Sequence, residues 1–179
     1  MADKKILMVI APHEFRDEEF TEPYEHFTRE KHWDVVVAST IPGTATGMLG
    51  KTVEVKEAIT NQDPDDFDAI VIVGGMGSPT HLWNNPSLIQ LVKDFNSQDK
   101  VVAAICLSGV VLAKTGILEG KKATVWDSEE SLEEYEKWKV HYVKQDVVVD
   151  DNIITAVGPT AAKAFAQEIS NALSRVSVG

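Results

Sequence analysis

Short apolar runs, each followed by a polar helix-like stretch, leave this chain few folds to choose from. Ile6-Leu-Met-Val-Ile10 and Ala69-Ile-Val-Ile-Val73 are continuously apolar, as strands covered on both faces must be. Asp34-Val-Val-Val-Ala-Ser39 and Val101-Val-Ala-Ala-Ile105 read as two further strands. Between them, Phe20, Tyr24 and Phe27 recur at helical spacing after Asp17, and Leu88, Leu91, Val92 and Phe95 do so after Pro86. Strands alternating with helices predict an α/β fold with a mostly parallel central sheet, helices covering both faces. The 179 residues suit one domain spanning 1–179.

The remaining segments fit that frame. Gly43 to Lys56 carries three glycines and then alternates, which predicts a hairpin outside the main sheet. Asp63-Pro-Asp-Asp-Phe67 reads as a turn and short helix, and Ala123 to Val125 as a short strand. Asp127 and Glu130 have capping-box spacing ahead of a helix bearing Leu132, Tyr135 and Trp138, with Glu133 placed to pair with Lys137. Val147 to Val149 and Ile153 to Ala156 flank the turn Asp150-Asp-Asn152, and Gly158-Pro159 opens a last amphipathic helix.

A net charge of -11 argues against nucleic acid and anionic membrane as partners. A single cysteine cannot form an internal disulfide and fits a reducing compartment. The run Ile6 to Ile10 is too short for a membrane span and lacks a signal-cleavage pattern, so a cytoplasmic location is expected.

In such sheets ligands bind beyond the carboxyl ends of the strands. Three loops leave strand ends there: Ala11 to Glu22, Gly74 to His81 and Cys106 to Gly109. Cys106 stands at a strand-to-helix corner. Either it is a small core hydrophobe, or helix-start N–H groups lower its pKa and make it a nucleophile. Gly74-Gly75 is a tight turn, or a backbone whose N–H groups join that of Leu107 in an oxyanion hole. Asp17-Glu18-Glu19, with Glu22, is a solvated helix start, or one of its carboxyls faces inward. A carboxyl beside a thiolate must keep its proton and donate it to the sulfur. His13 and His81 lie in loops near the strand ends, as loop packing or as accessory groups. Trp83 and Trp126 are core or contact residues, or roof the Cys106 crevice. No cluster has metal-ligand spacing, and Gly74-Gly-Met-Gly77 is too short for a dinucleotide fingerprint.

Taken together, Glu14-Phe-Arg-Asp-Glu-Glu-Phe-Thr-Glu-Pro-Tyr24, Phe67-Asp-Ala-Ile-Val-Ile-Val-Gly-Gly75, Val102-Ala-Ala-Ile-Cys106, Gly116-Ile-Leu-Glu-Gly-Lys-Lys122 and Val147-Val-Val-Asp-Asp-Asn-Ile153 resemble the ThiJ/PfpI superfamily. That resemblance implies a flavodoxin-like three-layer sandwich and a homo-oligomer, a dimer favoured. It places the active-site glutamate on Glu19, counted back from Pro23, and the oxyanion donors on Gly75 and Leu107. It implies cofactor-free glyoxalase or deglycase activity on a small reactive carbonyl through Cys106, oxidation sensing or chaperoning through the same thiol, or peptidase activity. Peptidase-like members carry His directly after the Cys, where this chain has Leu107. The deglycase-like branch has a His where Trp126 stands. A related amidotransferase fold uses a late His-x-Glu, whereas His141 is followed by Tyr142 and Val143.

Overall fold

The apolar runs become neighbours in one sheet. The computed structural model describes residues 3–178; Met1, Ala2 and Gly179 of the 1–179 span lie outside the described residues. In chain order the strands are β1 (Lys5–Val9), β2 (His13–Phe15), β3 (Asp34–Ser39), β4 (Gly43–Gly47), β5 (Thr52–Val55), β6 (Glu57–Ala58), β7 (Ala69–Ile72), β8 (Val101–Ile105), β9 (Lys122–Ala123), β10 (His141–Tyr142), β11 (Val147–Asp150) and β12 (Ile153–Ala156). The helices are α1 (Asp17–Glu25), α2 (Ser78–His81), α3 (Pro86–Ser97), α4 (Gly109–Thr115), α5 (Glu129–Lys137) and α6 (Ala162–Val178).

Seven strands form the central sheet in the order β11-β12-β8-β7-β1-β3-β6. All neighbours run parallel except β11, which pairs antiparallel with β12. Every residue of β7 and β8 is buried, so both faces are covered. Helix α6 packs with α1 over one side, and α3 and α4 pack together over β7 and β8, with α5 against α4. The chain leaves β1 for β3 on one side and returns to β7 on the other. The order therefore reverses between β1 and β7, and a crevice must open at their carboxyl ends. This is the flavodoxin-like sandwich.

Local chemistry sets the elements around that crevice. Helix α1 opens with Asp17, Glu18 and Glu19, whose charge suits a helix start. Pro23 removes one backbone donor from it, and the helix runs on into a π-type turn over His26–Glu30. Strand β2, which the sequence does not signal, pairs parallel with β4. Its Phe15 is fully buried, a burial worth roughly 2–3 kcal/mol. β4 and β5 form the expected hairpin outside the main sheet. Asp17 accepts the Leu49 and Lys51 N–H groups, each at 2.9 Å, and so fixes the hairpin turn against α1.

Two expectations at α5 are corrected. The cap is Ser128, whose Oγ accepts the Ser131 N–H at 3.2 Å, and Asp127 plays no capping role. Glu134, not Glu133, makes the ion pair, at 3.5 Å with Lys114, while Lys137 lies over the Trp138 ring. Among the described residues no helix is long and apolar enough to cross a membrane.

Candidate active site

Cys106 follows β8 directly and adopts φ 62°, in the left-handed region. For a residue with a side chain that backbone costs about 1–2 kcal/mol, so its surroundings must impose it. Ser108 Oγ donates to the Val73 carbonyl at 2.7 Å and lies 2.8 Å from Ser78 Oγ. Trp83 Nε1 donates to the Leu107 carbonyl at 2.8 Å, and the Trp126 N–H to the Cys106 carbonyl at 3.3 Å. The corner is thus bound to the end of β7 and cannot relax. A single turn of 3₁₀-helix over Cys106–Ser108 then leads into α4.

The Gly74-Gly75 loop completes one wall. Gly75 has φ 110°, and a Cβ there would lie 2.5 Å from the Glu14 carbonyl. Only glycine fits. The Arg16 N–H donates to the Gly74 carbonyl at 3.0 Å and the Gly77 N–H to the Glu14 carbonyl at 3.0 Å. So clamped, the Gly75 N–H points at the Cys106 sulfur, as does that of Leu107.

Glu19 reaches the sulfur from α1. It is 0% exposed, and its Oε1 accepts the Gly74 N–H at 3.0 Å. Oε2 is buried without a hydrogen-bond partner, on a carboxyl that interacts with the Cys106 thiol. The other acids of the run are occupied elsewhere. Glu18 accepts from Arg16 Nε and one terminal nitrogen at 2.8 and 3.0 Å, Asp17 holds the hairpin turn, and Glu22 borders a separate hollow beside His26.

Burial pushes Glu19 up to about 8, against the pull of its hydrogen bonds to Cys106 and the Gly74 N–H. Burial and then the charge of Glu19 push the Cys106 thiol up to about 12, opposed by the Gly75 and Leu107 N–H groups. The expectation of a thiol simply lowered by a helix start is corrected. The two groups titrate as one buried pair whose first proton is retained at neutral pH.

A cavity of about 120 Å³ opens above this pair. Cys106, Glu19, Gly75 and Leu107 form its base, and Trp126 borders it as a roof residue. Arg16, Met48, Met76 and Pro159, which sequence reasoning did not select, complete the rim. The adjacency of Met76 to Gly75 was the available signal. Trp83 lies beneath Leu107 rather than over the cavity. His13 and His81 do not line it; their rings face each other at 5.9 Å. Among the described residues, no group of three or more His, Cys, Asp or Glu is placed to hold a metal ion.

Residues 4–172 match the DJ-1/PfpI family. The chain belongs to that family. Among DJ-1/PfpI relatives, an uncharacterized protein of Methanocaldococcus jannaschii is 50% identical, over 98% of this chain and 85% of that one. A deglycase of Pyrococcus abyssi is 32% identical, over 90% of this chain and 95% of that one. The crystal structure of a ThiJ/PfpI domain protein from Brachyspira murdochii superposes with a TM-score of 0.90 at 33% identity, covering 98% and 99% of the two chains. Relatives of this DJ-1/PfpI protein are named deglycases, and its own geometry must supply the reaction.

Proposed function

We propose that this protein is a cofactor-free cysteine enzyme acting on small reactive carbonyls, with glyoxalase or deglycase chemistry. The observation that carries the proposal is the unpartnered Oε2 of Glu19 beside a sulfur facing two N–H groups. A buried carboxylate oxygen without a donor is costly. A carboxylic acid whose O–H donates to a thiolate is not. Once the pair gives up its first proton, the negative charge therefore belongs on the sulfur, where the donors are, and the remaining proton on Glu19.

The reaction follows from that placement. The thiolate adds to the aldehyde carbon of an α-oxoaldehyde. The carbonyl electrons move to oxygen, which takes the Glu19 proton and gives a hemithioacetal. The Gly75 and Leu107 N–H groups stabilise the developing charge as the sulfur gives them up. Glu19, now a carboxylate, removes the proton from the former aldehyde carbon and delivers it to the adjacent carbonyl carbon, while the hydroxyl proton of the hemithioacetal passes to the neighbouring oxygen. The resulting thioester is hydrolysed by water to a 2-hydroxy acid, which restores the thiol. With the aldehyde already condensed on an amine as a hemiaminal, Glu19 protonates the nitrogen, the C–N bond breaks as the hydroxyl loses its proton and becomes the carbonyl, and the freed aldehyde enters the same sequence.

Methylglyoxal turnover by wild type, Cys106→Ser and Glu19→Gln tests this reading. Wild type is expected to produce lactate and both variants to lose it while remaining folded. Turnover surviving Cys106→Ser would sink the mechanism. A second reading, oxidation sensing, draws on the same acid: protonated Glu19 is placed to donate to a sulfinate oxygen on Cys106. Peroxide adding two oxygens to Cys106, in a protein inert toward carbonyls, would favour it. A homodimer is part of the proposal, and sedimentation velocity checks it.

A further inference from the structure

We infer that the mouth of the Cys106 cavity selects neutral aromatic carbonyl compounds, with Trp126, Met48 and Met76 as the residues that hold the aryl group. The inference rests on Cys106 being the group that meets the carbonyl. It adds what lies on the other side of that carbonyl.

Six large hydrophobic side chains are exposed among the described residues, and three of them, Met48 (38%), Met76 (57%) and Trp126 (45%), border this one cavity. Leu49 extends the patch from the same turn as Met48. Scattered exposed apolar residues carry no meaning; a cluster around a reactive group does. The three are also held in place. The Met76 backbone N–H donates to Met48 Sδ at 3.4 Å, which ties the Met48 thioether to the backbone that carries Met76. The indole lies against the backbone of Gly158, so one edge is backed while the rest stays open. Indole and thioether are the side chains that favour an aromatic ring.

Charge points the same way. Among the described residues Arg16 is the cationic residue on the rim, and its charge is matched by Glu18, which accepts from Nε and one terminal nitrogen. An anionic substrate therefore meets a cation whose charge Glu18 already balances, on a protein of net charge -11. A phosphorylated or carboxylated carbonyl compound is disfavoured, and an uncharged aryl α-oxoaldehyde is favoured over methylglyoxal.

Because Cys106 is the only cysteine of the chain, alkylation reads this selectivity without turnover. Rates with iodoacetamide, N-benzyl iodoacetamide and iodoacetate are each divided by the rate with glutathione at the same pH. A phenyl group seated on the rim is expected to favour the benzyl reagent over iodoacetamide by about tenfold, with iodoacetate slowest. Trp126→Ala and Met76→Gln, both at exposed positions, should each lower the benzyl preference severalfold. Ile41→Ala, an exposed apolar residue away from the cavity, should leave it unchanged. Equal normalised rates, or a preference untouched by both rim variants, would overturn the inference. Iodoacetate reacting fastest would also overturn it and assign the mouth to anions through Arg16. Comparing kcat/KM for phenylglyoxal and methylglyoxal then separates the two levels. Turnover without preference defeats the inference and leaves the enzyme reading standing. Alkylation preference without turnover does the reverse.

Discussion

At the amino ends of the parallel strands, polar groups are paired off. Asp68 accepts the Lys5 N–H at 2.9 Å, and the Asn152 side chain donates to Asn96 Oδ1 at 2.9 Å and to the Lys100 carbonyl at 2.8 Å. At the carboxyl ends of the same strands lie a buried acid with one oxygen unpartnered, a buried thiol and an apolar rim open to solvent. Left-handed backbone occurs at both ends, so strain alone does not mark a site. Before β3, β8 and β12 the residues are His32, Asp99 and Asp151, all exposed and of types that tolerate this conformation. At the other end the residues are Glu14, exposed, and Cys106, buried and held by its neighbours. Strain joined to burial and an unpaired acid is what separates a working end from a supporting one.

The largest effect that can break this contrast is at Cys106. Cys106→Ser is expected to lower α-oxoaldehyde turnover by at least about 10³-fold, read as initial rates of lactate formation, with an unchanged circular dichroism spectrum.

Glu19→Gln should cost about 10²–10⁴-fold in turnover, as loss of a positioned acid–base group does, and yet stabilise the protein at alkaline pH. The acid is raised from 4.5 to about 8 in the fold. Folding therefore favours its protonated form, and that contribution, complete below about pH 4.5, is lost as the pH rises through 8. The loss amounts to roughly 5 kcal/mol at most. Urea melts at pH 5 and pH 8 should show wild type weakening between them and the glutamine variant much less. Parallel profiles would mean that Glu19 is ionised in the fold.

Gly74→Ala should damage both properties together. The added methyl would lie 2.5 Å from the Ile105 carbonyl, 2.6 Å from Glu19 Oε1 and 2.7 Å from the Cys106 Cβ. A loss of about 1–3 kcal/mol and slower alkylation of Cys106 are expected from the same sample. Smallest, and confined to the supporting end, Asn152→Ala should cost about 1–2 kcal/mol in urea melts with methylglyoxal turnover unchanged.

Much of this contrast was legible in the chain, for stated reasons. Continuous apolar runs identified the buried parallel strands, because no exposed strand affords such composition. The break after β8 identified the elbow, and the family resemblance put the acid on Glu19, whose neighbours Asp17 and Glu18 are indeed engaged elsewhere. What escaped were features set by tertiary contact. Strand β2 is too short and polar to show a period. Met48 comes to the cavity only because a hairpin folds back onto α1. The helix start was expected to lower the thiol, but burial and Glu19 outweigh its N–H groups, and burial is not readable from three residues of sequence. His13 and His81, picked by loop position, face each other rather than the sulfur.

The hairpin of β4 and β5 is seated by the pairing of β4 with β2 and by one side chain. Asp17 accepts two of its N–H groups, and Gly47 lies so close against that carboxylate that a Cβ would overlap it. Aspartate and glycine form a matched plug and socket, two residues ahead of the acid. Residues 43–55 are therefore a cassette: a hairpin bearing a different residue at position 48 can be grafted in its place, provided Asp17 and Gly47 travel together. The face presented to incoming molecules is free to diverge in evolution or by design while the chemistry beneath it stays fixed.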